Sequence, residues 1–485
     1  MSKLVTLINK HLDGTWADFA KESLVAFATE RYGTKWEKKI QIRVNGETSE
    51  DAAPFAALIP FGQPKSGPYG GMSFVLFPSK DVPSIVCLVI GTNGLSPDEQ
   101  ALSRPGHARK VLAISRWLNH LSKKEVAWAK PDPVRVDIPM PKQQIARLDN
   151  YESAIEKYRK VLYAVFFTKD SPNEAVTKQA AHVLCDIFAE ERGLEPLTAF
   201  RAEKEAANKA WISKVIPTVS EKEISELLDL RKFVILEGPP GTGKTRMARE
   251  IIKKIYSDKG TTIQFHPGTT YETFIGGLSP VQGEKDSGLQ FIPRPGQLMK
   301  AISEAAKDPK RKYLLHIDEI NRADLAKVLG EAIFLLEPTE KGREVDVFYD
   351  FGAPNNTKLK LPENLHILGT MNSADRSIAI LDVAVRRRFA FTSMWPSSEV
   401  LETENASEKM KDAFQRLFSI FMEEAPNDAF ALMPGHAYFL GNDADTNKLL
   451  NTGLKPLLNE YLLQGYVSGF ADEIRAYIES LSLMD

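Results

Sequence analysis

The sequence predicts an α/β protein: a parallel-sheet core with a helical lid, preceded by a separate α/β amino-terminal domain. Three observations predict it. A complete G-x-x-x-x-G-K-[ST] pattern lies at Gly238–Thr245, between the apolar run Phe233–Leu236 and a helical pattern reaching Ile252. Two later apolar runs end in polar groups that suit phosphate chemistry, Asp318-Glu319 and Asn372. Upstream, residues 40–90 change texture to short apolar runs of strand length, flanked by helical spacing. These patterns place an amino-terminal domain at 1–195, a helical connector at 196–215, the nucleotide-binding core at 216–396 and the lid at 397–485.

In the amino-terminal part, Leu4, Leu7, Ile8, Phe19, Leu24, Val25 and Phe27 recur at helical intervals, broken at Asp13-Gly14. Ile40–Val44 alternates like a half-buried strand, and Ser73–Phe77 and Ile85–Ile90 read as buried strands joined by a hairpin at Pro78–Pro83. Pro60–Gly71 cannot be regular structure, and with Gly91-Thr-Asn-Gly-Leu-Ser it flanks the strands as loops do at recognition sites. A plain connecting role suits both loops equally. Helical spacing resumes over His107–Leu121 and again over Tyr151–Arg192, with a break at Asp170-Ser-Pro-Asn. Trp16, Trp36, Trp117 and Trp128 are expected in the core, although aromatic rings also stack flipped bases. Arg201–Lys214 is charged and alanine-rich, as a helical connector would be, and Ser220-Glu-Lys-Glu223 forms a capping box.

Composition bounds the function classes. Across 485 residues, 43% apolar and 26% charged side chains are ordinary for a globular chain, and the net charge of −2 argues no general affinity for nucleic acid. Residues 1–150 hold 20 basic against 15 acidic side chains and the rest 42 against 49, so the amino-terminal part is only mildly basic. Cys87 and Cys185 stand alone in apolar surroundings, as in a reducing compartment. No apolar run nears the roughly 20 residues that span a bilayer, and the first residues lack a signal-peptide pattern. A cytoplasmic protein without membrane contact is expected.

The chemistry is concentrated in the core. In Gly238-Pro239-Pro240-Gly241-Thr242-Gly243-Lys244-Thr245 the glycines let backbone N–H groups turn onto a phosphate chain at a helix N-terminus. Lys244 reaches the β- and γ-phosphates in such a loop, and Thr245 offers a hydroxyl to Mg²⁺. Thr262–Phe265 reads as a second buried strand, Tyr313–Asp318 as a third and Leu365–Met371 as a fourth. Asp318 is expected to hold Mg²⁺ and Glu319 to polarise the attacking water; Asn372 would lie beside the γ-phosphate if these strands are neighbours. After a helix over Ile378–Val385, Arg386, Arg387 and Arg388 crowd one helix end. In a ring such a group can serve a neighbour's γ-phosphate. Arg387 is the first choice for that finger and Arg388 the second, while a solvated helix-end charge accounts for one of the three.

Asp318-Glu-Ile-Asn-Arg322, Gly369-Thr-Met-Asn372-Ser-Ala-Asp375-Arg376-Ser, Arg386-Arg-Arg-Phe389 and Gly435-His436-Ala-Tyr438-Phe439 together resemble the motifs of McrB-type AAA+ GTPases, over about residues 218–465. The resemblance implies an AAA+ core and a homo-hexameric ring that hydrolyses GTP with Mg²⁺ as the motor of a modification-dependent restriction system. It further implies a McrC-like subunit that carries the nuclease. Residues 1–195 more loosely resemble a DUF3578-type amino-terminal domain, through Gly67-Pro-Tyr-Gly-Gly71, the hairpin and Leu88–Asn93, and would be the reader of DNA. The phosphate loop touches only phosphates, so GTP rather than ATP is an implication of the resemblance. A MoxR-like remodelling ATPase and a nucleotide-gated assembly scaffold are the other readings.

Overall fold

The structure, a computed structural model, describes residues 2–47, 53–64, 70–91, 102–121, 125–133, 135, 140–168, 173–282, 289–337, 342–352, 357–374 and 383–482. Two compact units account for the chain: Met1–Ile216 with Met422–Pro426, and Pro217–Phe421 with Asn427–Asp485.

The first unit is built on six antiparallel strands, β1 (Ile40–Asn45), β2 (Phe55–Pro60), β3 (Met72–Phe77), β4 (Ile85–Ile90), β5 (Glu125–Ala129) and β6 (Leu162–Thr168), in the order β1-β2-β3-β4-β6-β5. β3 and β4 form the expected hairpin, with Phe77 opposite Ile85. The helices Lys3–Asn9 and Trp16–Tyr32 part around Asp13, whose carboxylate accepts the Thr15 amide at 2.8 Å. The helical expectation across Tyr151–Arg192 is corrected at β6. All seven of its residues are buried, because it lies between β4 and β5 with both faces covered. A run of that length, apolar up to its final Thr168, carries no periodicity to distinguish strand from helix.

Trp16, Trp36 and Trp117 are core residues. Cys87 and Cys185 are free and buried, and burial raises both thiols, Cys185 to about 12. A cleft of about 230 Å³ opens among the helices Pro105–Leu121, Glu174–Glu190 and Thr198–Val215. Its ionic side chains answer one another: Arg31 grips Asp186 at 2.6 and 2.7 Å, and Glu190 takes Lys110 at 2.5 Å and Lys204 at 2.7 Å. Residues 65–69 and 92–96 of the two loops singled out in the sequence lie outside the described residues.

The second unit centres on a parallel sheet of β7 (Phe233–Gly238), β8 (Gly260–Gln264), β11 (Tyr313–Asp318), β14 (Leu365–Asn372) and β15 (Ala390–Ser393), ordered β15-β7-β14-β11-β8. This is an α/β AAA+ fold. A hairpin of β9 (Gly276–Gln282) and β10 (Leu289–Pro295) and a small ribbon of β12 (Glu344–Asp346) and β13 (Lys358–Lys360) are inserted between its strands. Phe233 and Ile235 of β7 enter one core cluster while Val234 and Leu236 enter the other. Burial on both faces is why these strands read as unbroken apolar runs. β8 departs from the expectation of a buried strand. It is the sheet edge, so Thr261, Thr262 and Gln264 are exposed and only Phe265, just beyond it, is buried.

Helix Glu221–Arg231 leads into β7 and starts on the expected capping box. Ser220 Oγ accepts the Glu223 amide at 3.2 Å, and the Glu223 carboxylate accepts the Ser220 amide at 2.8 Å. Ser220→Ala should lower the stability of this unit by about 1 kcal/mol, read as a shift of its chemical-denaturation midpoint. After β15 the chain is helical, with Glu408–Glu424, Lys455–Leu463 and Ala471–Ser482 the longest pieces. Among the described residues no helix is long and apolar enough to cross a membrane.

Candidate active site

The order of the parallel strands brings three chain segments together. β7 lies beside β14, with Gly238 opposite Asn372, and β11 lies beside β14, with Ile317 opposite Gly369. The phosphate loop, Asp318-Glu319 and Asn372 therefore emerge side by side at the carboxyl ends of adjacent strands, where open parallel sheets bind ligands.

The loop is shaped for an anion. Gly241 and Gly243 have φ of +78° and +82°, a backbone region that side chains disfavour. A Cβ on Gly241 would also come within 2.8 Å of the Tyr438 ring. Outside the loop, the carbonyls of Pro240 and Gly241 accept the amides of Gly435 and Ala437, each at 2.9 Å. The amides of Gly241, Thr242, Gly243, Lys244 and Thr245 donate to no protein acceptor among the described residues. Helix Lys244–Lys254 begins there and adds its positive dipole end. Thr242 holds its own turn through Oγ1 to the Pro239 carbonyl at 3.0 Å. Lys244 is buried and donates Nζ to the carbonyls of Gly238 at 3.0 Å and Pro239 at 2.7 Å. Burial pulls its pKa down to about 8 against the opposing pull of Glu319 and Asp318. Among the described residues no carboxylate forms an ion pair with this ammonium, which suits it to a phosphate chain.

Asp318 Oδ1 accepts from Thr245 Oγ1 at 2.9 Å and from Thr370 Oγ1 at 2.6 Å. A hydroxyl and a carboxylate at that separation suit Mg²⁺, which takes one or two protein oxygens and completes its shell with phosphate and water. Among the described residues no cluster of three or more His, Cys, Asp or Glu side chains could hold a metal ion. Thr370 in turn lies 3.3 Å from His316 Nε2, whose Nδ1 lies 3.2 Å from Thr262 Oγ1. Since Thr370 gives its proton to Asp318, the histidine donates from Nε2. Burial keeps it neutral by lowering its pKa to about 4, with Asp318 opposing.

Glu319 sits at φ +53°, a left-handed conformation costing a non-glycine residue about 1 kcal/mol or more. Its Oε1 accepts Asn372 Nδ2 at 2.6 Å, and its Oε2 lies 3.4 Å from Arg322 Nε. Asn372, expected beside the γ-phosphate, is thus hydrogen-bonded to the Glu319 carboxylate. Thr370 and Arg322 lie inside the quoted motifs without being singled out there, and His316 lies outside them. Thr370 is recoverable from strand periodicity, standing two residues before Asn372 on the same face of β14.

Of the three arginines, Arg386 ends the helix Val383–Arg386 with its guanidinium 5.3 Å from the Phe391 ring centre. Arg388 is buried and donates Nη1 to the Ala384 carbonyl at 2.7 Å. Arg387 is exposed, and its guanidinium has no partner among the described residues. Asp375, Arg376 and residues 378–382 of the expected helix lie outside the described residues.

Residues 233–389 match the family described as AAA domain (dynein-related subfamily). The chain is 34% identical over 268 residues to the type IV methyl-directed restriction enzyme EcoKMcrB subunit of Escherichia coli, covering 51% of this chain and 57% of that protein. It is also 34% identical over 202 residues to the type II restriction enzyme BsuMI component YdiS of Bacillus subtilis, covering 35% and 59%. The matches thus span a little under three fifths of the length of these curated relatives. A solved structure described as an ATPase of Cytophaga hutchinsonii overlaps with 16% identity and a TM-score of 0.25 over 48% of this chain and 58% of that one, too slight a likeness to argue from.

Proposed function

We propose that this chain, a McrB-type AAA+ protein by its motor half, is the GTP-hydrolysing motor of a modification-dependent DNA restriction system. The observation that carries the reading is the convergence of Lys244, Thr245, Asp318, Glu319 and Asn372 within a segment similar to two restriction-system components. In this reading the amides of residues 241–245 and Lys244 bind the phosphate chain. Thr245 and Asp318 hold Mg²⁺, with Asp318 kept in place by Thr370. Bound nucleotide supplies the scissile phosphoryl bond, and its Mg²⁺ neutralises charge on it. Glu319, oriented by Asn372, takes a proton from the attacking water, and Arg387 serves the site of a neighbouring subunit in a homo-hexamer. A McrC-like partner cuts the DNA, residues 1–195 recognise it, residues 196–215 connect that domain to the core at 216–396 and its lid at 397–485, and the assembly works in the cytoplasm.

Turnover with GTP and with ATP at equal concentration, with and without a McrC-like subunit, tests the proposal. GTP should be hydrolysed faster, and the partner should confer nucleotide-dependent DNA cleavage. Lys244→Ala should weaken nucleotide binding ~10-fold or more, the value of a lost charge-assisted bond. An ATP preference would remove the GTP assignment. Failure of the partner to bind or cut would remove the restriction assignment.

A further inference from the structure

We propose that His436, in the lid segment Gly435–Tyr438, is a nucleotide-binding residue that offers its Nε2–H to an acceptor on the bound nucleoside triphosphate. This rests on the nucleotide-binding reading of the loop and extends it to a residue with no assigned role.

Three features support it. The lid segment is docked on the loop itself, through the two amide-to-carbonyl bonds from Gly435 and Ala437. The packing is close: a Cβ on Gly435 would fall 2.1 Å from the Gly241 carbonyl carbon, so only glycine permits it. Second, the ring is immobilised and its tautomer set. His436 is 5% exposed, and its Nδ1 accepts the Ser397 amide at 3.3 Å, which leaves the proton on Nε2. Burial, helped by Arg246 and opposed by Glu404, lowers its pKa to about 4, so the ring is a neutral donor at physiological pH. Third, Nε2 faces the start of the phosphate-binding helix. It stands 3.7 Å from where a Cβ on Gly243 would be and has no hydrogen-bond partner among the described residues. A structural histidine normally satisfies both ring nitrogens, as His316 does in this same sheet. Here one nitrogen is spent on fixing the ring and the other is left beside the helix end that receives phosphate.

The acceptor is an oxygen or ring nitrogen of the nucleotide, from its phosphates or its nucleoside. Two variants isolate the donor. His436→Phe keeps the ring and removes both nitrogens. His436→Gln also loses the Ser397 bond but retains an N–H at the reach of Nε2. Calorimetric titration with guanosine 5′-(β,γ-imido)triphosphate and Mg²⁺ should show His436→Phe binding ~10-fold more weakly, and His436→Gln within ~3-fold of the unaltered protein. Equal weakening in both variants, or none in His436→Phe, overturns the proposal. Inorganic tripolyphosphate as a second titrant assigns the acceptor. A loss confined to the nucleotide places it on the nucleoside, and a loss with both ligands places it on phosphate. If the unaltered protein binds neither ligand, the nucleotide-binding reading itself fails, an outcome separate from a normal affinity in His436→Phe.

Discussion

Arg387→Ala subunits should bind nucleotide and assemble, yet hydrolyse it about 10³-fold more slowly, the lower end of what an arginine finger contributes. The choice among the three arginines follows from what each side chain already does. Arg388 is committed to the Ala384 carbonyl and buried, and Arg386 lies over Phe391. Arg387 alone presents an exposed guanidinium without a partner among the described residues, as a group acting on another subunit must. Mixing provides the sharper measurement. Rings of Arg387→Ala and Glu319→Gln subunits contain some junctions where an intact carboxylate faces an intact arginine, whereas neither variant alone contains any. Activity should therefore rise on mixing two inactive preparations. If rings form and nothing returns, the finger is elsewhere or acts within its own subunit. The same mixtures separate a motor from a timing scaffold, because a motor loses DNA cleavage in proportion to the junctions it loses.

Glu319→Gln should leave nucleotide affinity intact and slow hydrolysis at least ~10²-fold, because an amide cannot take the proton of the attacking water. The substitution is nearly isosteric, and glutamine can still accept from Asn372 Nδ2, so the site's geometry survives. The ion pair with Arg322 is lost, but that arginine is 44% exposed at its side chain and the pair contributes little. Single-turnover hydrolysis together with an independent binding measurement separates the two effects. Unchanged turnover would remove Glu319 from the mechanism, and lost binding would make its role structural.

Much of this was legible because the groups concerned are contiguous or periodic in the chain. The phosphate loop is eight consecutive residues, the capping box at Ser220 spans four, and β7, β11 and β14 announce themselves by apolar runs ending in polar groups. Periodicity failed where burial is complete or absent. β6 is apolar up to its final Thr168 and was indistinguishable from helix, and β8 is exposed at an edge despite its strand-like composition.

By itself the sequence marked out the phosphate loop, the acidic pair Asp318-Glu319 and Asn372 at a strand end as candidates, since these depend on local residue order. Which atoms meet was decided only by the tertiary structure. The order β7-β14-β11 brings Asn372 to Glu319 and Thr370 to Asp318 across more than fifty intervening residues, and the docking of Gly435–Tyr438 on the loop places His436 beside Gly243. The arginines show the same division. Their cluster is plain in the chain, but only packing buries Arg388 against its own helix and leaves Arg387 exposed, because a helix end fixes charge density while the surroundings fix which side chain is spent locally.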